Sequence, residues 1–128
     1  MLRGMSSVGG EIVVVDDDTS MCLAIERLLS AAGWRVRRYG SAEELLAADG
    51  HESAGALVLD INLPGISGLE LHRKLRARGN ARPVFFITGQ EREDTREQVR
   101  AAGAAGFFTK PFDGVELIRA IRGCLPAV

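Results

Sequence analysis

The chain has 128 residues, 46% of them apolar and 26% charged, which suits one soluble globular domain with material for a proper core. A formal net charge of -1 removes any bulk electrostatic case for nucleic acid or a membrane surface as partner, and no apolar stretch approaches membrane-spanning length. Two cysteines, Cys22 and Cys124, lie in helical patterns; they build neither a disulfide scaffold nor a cysteine-rich metal site, so reduced, partly buried thiols are expected.

Residues 1–10 lack the apolar middle of a signal peptide and read as a flexible leader, which makes the cytoplasm the default location. Glu11-Ile12-Val13-Val14-Val15 is a β-branched run of the kind buried on both faces of a sheet, and it ends in Asp16-Asp17-Asp18. A helix follows with Met21, Ile25, Leu28, Leu29 and Ala32 on one face and Gly33 as its stop. Trp34 to Tyr39 mixes Val36 with arginines and reads as an edge strand with one wetter face. Ser41 and Glu44 form a capping box opening a short helix.

The third apolar run, Ala56-Leu57-Val58-Leu59, ends at Asp60, followed by a tight Pro64-Gly65 turn and a helix capped by Ser67 with Glu70. Pro83 to Ile87 is a fourth buried strand ending at Thr88-Gly89-Gln90, and a charged helix is expected from about Glu91 to Ala102. Gly106-Phe107-Phe108-Thr109 is a fifth strand, ending at Lys110-Pro111, and Asp113 with Glu116 opens the last helix. Five strand-then-helix units imply an α/β fold, a doubly wound parallel sheet with helices on both faces. One domain is expected over 11–125, with 126–128 as a tail and no output domain.

In such a sheet the residues that follow the strands gather along one edge. They are Asp16 and Asp17, Asp60, Thr88 and Lys110. Singly, each is ordinary: acidic pairs cap helices, threonine is a β-former, and a lone lysine is usually solvated. Jointly they are harder to dismiss. Three clustered carboxylates repel one another and call for a cation; an all-oxygen set with room for water suits Mg²⁺, with Mn²⁺ as a substitute. Lysine and a threonine hydroxyl can serve phosphoryl oxygens, and one carboxylate, Asp60, can act as nucleophile and form an acyl phosphate.

The stretches Val14-Val15-Asp16-Asp17-Asp18, Leu59-Asp60-Ile61-Asn62-Leu63-Pro64-Gly65-Ile66-Ser67-Gly68, Ile87-Thr88-Gly89 and Phe108-Thr109-Lys110-Pro111-Phe112, in that order, resemble a bacterial response-regulator receiver domain of the CheY-like kind, from about Glu11 to Cys124. The resemblance implies a flavodoxin-like three-layer sandwich with strand order 2-1-3-4-5 and five helices. It implies that Asp60 accepts a phosphoryl group from a sensor histidine kinase or phosphotransfer protein. Mg²⁺ would be ligated by Asp17, Asp60 and the backbone carbonyl of Asn62, with Asp16 acting through water. Lys110 would pair with phosphoryl oxygens, and the Lys110-Pro111 peptide would be cis. Thr88 would move toward the phosphoryl group and let Phe107 rotate inward, biasing the surface of helix four, strand five and helix five toward an output partner or a homodimer. Asn62 and Gln90 would tune hydrolysis of the acyl phosphate. The Ile87-Thr88-Gly89 and Lys110-Pro111-Phe112 phrasing resembles receivers of helix-turn-helix transcription factors, so a stand-alone receiver or a fragment of a longer regulator is expected, without direct nucleic acid or membrane binding.

Three other readings compete. A Mg²⁺-dependent phosphatase of the haloacid-dehalogenase type would make Asp16 the nucleophile and leave Asp60 unexplained. A flavin-binding relative would want a hydroxyl- and glycine-rich loop after strand one, where this chain has three acids. A pseudo-receiver would be an interaction scaffold that takes no phosphate. Outside the site, His51 and His72 read as solvated surface, and the Arg92, Arg96, Arg100 series beside Glu93 and Glu97 as a solvated ion-pair face. Arg73, Lys74, Arg76 and Arg78 read as the wet side of helix three, and Trp34 as too far from the site to report on it.

Overall fold

The computed structural model describes residues 10–125; most of the expected leader and the whole tail lie outside them. In chain order the elements are β1 (Glu11–Val15), α1 (Thr19–Ala31), β2 (Arg35–Tyr39), α2 (Ala42–Ala47), a 3-10 turn (His51–Ser53), β3 (Ala56–Asp60), α3 (Gly68–Ala77), β4 (Val84–Thr88), α4 (Thr95–Ala101), β5 (Gly106–Thr109) and α5 (Gly114–Cys124). All pairings are parallel and the sheet order is β2-β1-β3-β4-β5, as the sequence leads one to expect. No helix among the described residues is long and apolar enough to cross a membrane.

The strand period of two divides the core into two layers. Val13, Val15, Leu57, Leu59 and Phe86 point to the side covered by α2, α3 and α4, where they meet Leu45, Leu71, Leu75 and Val99. Ile12, Val14, Val58, Phe85 and Ile87 point the other way, onto Cys22, Ile25 and Leu29 of α1 and Leu117 and Ile121 of α5. With β1, β3 and β4 buried on both faces, the sheet is a stiff platform that carries buried carboxylates where β1 and β3 end.

The helices start where short polar side chains cap them. Asp18 accepts from Met21 N–H, Ser41 from Glu44 N–H, Ser67 from Glu70 N–H and Asp113 from Val115 N–H. α4 departs from expectation: it begins at Thr95, not near Glu91. The Thr95 hydroxyl accepts from Arg92 N–H at 2.9 Å, folding the preceding residues into a turn, while Asp94 makes no side-chain cap bond. The helix can therefore extend no further toward its N-terminus than this turn.

Both histidines correct the solvated reading. His72 faces inward beside Leu71 and Leu75, edge-on to Phe86, and its Nε2 donates to the Ala102 carbonyl at 2.9 Å. His51 is 2% exposed beneath the turn that Arg82 ties down through the His51 and Ala54 carbonyls. The cysteines also split: Cys22 is buried, Cys124 exposed.

Candidate functional site

The carboxyl ends of the strands bring the sequence-chosen polar groups together. β1 and β3 are neighbours, so Asp16 and Asp60 emerge side by side, and Asp17 joins them. One carboxylate oxygen from each of the three lies within 4.8 Å of the others. Asp16 is 1% exposed and Asp60 4%. β5 ends beside β4, where Lys110 N–H donates to the Thr88 carbonyl at 2.7 Å and the Lys110-Pro111 peptide is cis. From there the Lys110 Nζ reaches Asp16 Oδ2 at 2.9 Å and Asp60 Oδ2 at 3.3 Å.

Three carboxylates against one ammonium leave a formal charge of -2 in a half-dry corner. Burial pushes the Asp16 carboxyl above its ordinary range, with Asp60 adding to the effect, while the Asp18 N–H and Lys110 oppose it. Burial alone would lower the Lys110 ammonium, but Asp16 and Asp60 override it and hold the proton more firmly than in water. A dense, all-oxygen anionic pocket with a fixed cation at its rim fits a hard divalent ion, which would relieve the remaining repulsion.

Backbone geometry fixes the loop after Asp60. The Asn62 N–H donates to Asp60 Oδ1 at 3.0 Å. Gly68, the first residue of α3, presses against the end of β3 so closely that a Cβ there would overlap the Asp60 carbonyl. Gly65 turns the loop at a φ of +77°, and Glu43 of α2 accepts from Ile66 N–H at 3.1 Å. Thr88 is fully buried, and its hydroxyl contacts Asn62 and Gln90. Phe107 is half-buried at the α4 side, with the Arg96 guanidinium 5.2 Å above its ring.

Sequence reasoning missed several of these supports. Arg96 is more than a solvated ion-pair member: it binds Glu91 at 2.5 Å as well as covering Phe107, and Glu91 also accepts from the Thr109 hydroxyl. Arg100 and Glu97 do form the expected exposed pair, at 3.0 Å. Cys22 donates its thiol to the Asp16 carbonyl at 3.3 Å from below. Glu43 could have been suspected only from knowing that α2 lies beside this loop.

Comparison with known proteins decides the family. The family model described as the response regulator receiver domain matches residues 12–122. The chain belongs to the response-regulator receiver family. Among its relatives, the response regulator protein TodT of Pseudomonas putida is 36% identical over 97% of this chain and 55% of its own length. The response regulator protein TmoT of Ectopseudomonas mendocina is 39% identical over 89% of this chain and 52% of its own. The chain thus spans about half the length of these curated relatives. Among solved structures, the response regulator StyR is 35% identical with a TM-score of 0.78, covering 91% of this chain and 59% of that one. A CheY-like receiver domain protein from Methanospirillum hungatei is 27% identical with a TM-score of 0.81, over 89% and 91%. Receivers of this family are signalling switches that bind Mg²⁺ at an acidic aspartate cluster, and this receiver carries such a cluster.

Proposed function

We propose that Asp60 is the phosphoacceptor of this receiver and takes a phosphoryl group from the phosphohistidine of a sensor histidine kinase or phosphotransfer protein in the cytoplasm. The observation that carries the reading is the pairing of a nearly buried Asp60 carboxylate with Lys110 at 3.3 Å inside a three-carboxylate cluster. A haloacid-dehalogenase-like phosphatase would use Asp16 instead. Here the Asp16 carboxylate is committed to Lys110 and to Asp18 N–H, and is 1% exposed.

In the transfer, a carboxylate oxygen of Asp60 attacks phosphorus. The new P–O bond forms as the P–N bond of phosphohistidine breaks, and the electron pair returns to the imidazole, which takes up a proton. Lys110 meets the phosphoryl oxygens as a point charge. Asp16, Asp17, Asp60 and the Asn62 carbonyl would hold Mg²⁺ (or Mn²⁺), which when bound neutralises charge on the phosphoryl oxygens. The protein therefore catalyses only its own phosphorylation and dephosphorylation, with Asn62 and Gln90 at the rim setting access of water.

Thr88 and Phe107 carry the change to α4, β5 and α5, where an output partner or a second copy binds; no nucleic acid or lipid contact is assigned to this domain. Hydroxylamine gives the chemical test. It cleaves acyl phosphates but not phosphoserine or phosphothreonine, so protein labelled by a small phosphodonor should lose its phosphoryl group and carry a hydroxamate at residue 60. A label resistant to hydroxylamine would refute the carboxylate acceptor.

A further inference from the structure

The Thr88 hydroxyl is fully spent. It donates to the Gln90 carbonyl at 2.8 Å, and accepts from the Asn62 side-chain amide at 2.6 Å and from Gln90 N–H at 3.1 Å. One donor and two acceptor positions are all that a hydroxyl has. Thr88 is 0% exposed, so no water competes for it. Its only proton is therefore committed away from the carboxylates. Asn62 meanwhile holds Asp60 by its other hand, with the backbone N–H on Asp60 Oδ1 at 3.0 Å. One residue thus spans from the carboxylate that accepts the phosphoryl group to the hydroxyl that must later answer it.

We propose that the Asn62 side chain is a positioning residue that latches Thr88 in its resting orientation, and that the same residue transmits the phosphorylation of Asp60 to that latch. The inference rests on Asp60 being the phosphoacceptor. Converting the Asp60 carboxylate to an acyl phosphate changes the group that anchors the Asn62 N–H, which loosens the loop carrying its amide. Turning toward the phosphoryl oxygens costs Thr88 its bond to the Gln90 carbonyl and leaves the Asn62 amide without its acceptor. The phosphoryl oxygen must outcompete both, so the latch sets how much phosphorylation is needed to switch. Asn62 itself is exposed, so removing its amide does not disturb the core.

The test uses Asn62→Leu, which keeps the backbone N–H and carbonyl while deleting the amide. In the unphosphorylated protein, NMR couplings across the Thr88 side chain should report one rotamer in the wild type and a mixture in the variant. With trifluoroberyllate and Mg²⁺ as the phosphoryl mimic, the variant should switch at roughly three- to tenfold lower mimic concentration, the loss expected for one partly buried hydrogen bond. A Thr88→Val background should erase that advantage, because the latch has nothing to hold. An unchanged Thr88 rotamer in Asn62→Leu, or an advantage that survives Thr88→Val, would overturn the latch. Failure of the wild type to bind the mimic would strike the phosphoacceptor assignment instead, and the rotamer measurement would still judge the latch.

Discussion

The two margins of the sheet treat buried polar groups in opposite ways. At the carboxyl margin, Lys110 bridges the Asp16 and Asp60 carboxylates, and the Thr88 hydroxyl is satisfied by Asn62 and Gln90. At the amino margin, both His51 ring nitrogens and the Asn80 Nδ2 lack hydrogen-bond partners among the described residues, and Glu52 Oε2 stands 3.7 Å from His51 Nε2, beyond bonding reach. Arg82 works there as a tie, holding the Asn80 side chain and two carbonyls, and burial lowers its guanidinium below the usual value. Charge density at one margin is organised for chemistry. At the other, polar groups serve to close the chain, and imperfect satisfaction is tolerated.

That contrast can be broken most severely at Gly68. Gly68→Ala forces a Cβ into the Asp60 carbonyl, and because both partners are backbone neither can yield cheaply. The expected loss is about 3 kcal/mol, read from urea unfolding.

Lys110→Met comes next. It leaves the Asp16 and Asp60 carboxylates facing each other without their cation, at a cost of roughly 2 kcal/mol in Mg²⁺-free buffer near neutral pH. Burial and Asp60 already push Asp16 upward, so acidification lets it take a proton and the deficit shrinks as pH falls. Added Mg²⁺ should recover part of the loss at neutral pH. A deficit that ignored both pH and Mg²⁺ would mean that Lys110 matters for packing rather than charge.

The amino margin should respond weakly. His51→Leu removes two unpartnered ring nitrogens and is expected to leave stability at pH 7.5 within about 1 kcal/mol of wild type. Its effect appears in acid. Burial, with neighbouring arginines, lowers the folded His51 below its ordinary 6.5. The unfolded chain therefore takes up a proton that the folded one refuses, and stability falls as pH drops below that value. The slope contributed by one such proton is at most about 1.4 kcal/mol per pH unit, and it should be absent in His51→Leu.

The carboxyl margin was legible in the sequence because its members sit at positions defined by chain-local signals. Each apolar run has a visible end, and parallel topology puts those ends on one edge; Asp16, Asp60, Thr88 and Lys110 follow from that alone. What could not be read depends on which distant element covers a residue. The burial of His72 needs the Ala102 carbonyl, 30 residues on, and that of His51 needs Arg82, 31 residues on. The late start of α4 is a third case: residues 91–94 have helical propensity, but the Thr95 hydroxyl bonds back to Arg92 N–H and holds them as a turn. The clasp of Arg96 on Phe107 and Glu91 was hidden for the same reason, since β5 and α4 meet only in the fold.

The most direct measurement is intact mass after incubation with a small phosphodonor and Mg²⁺, run beside Asp60→Asn and a chelator control. Gain of one phosphoryl mass by the wild type, absent in both controls, is the predicted result. Labelling that persists in Asp60→Asn would place the acceptor elsewhere, and no labelling under conditions that label another receiver would make this domain a scaffold rather than a switch.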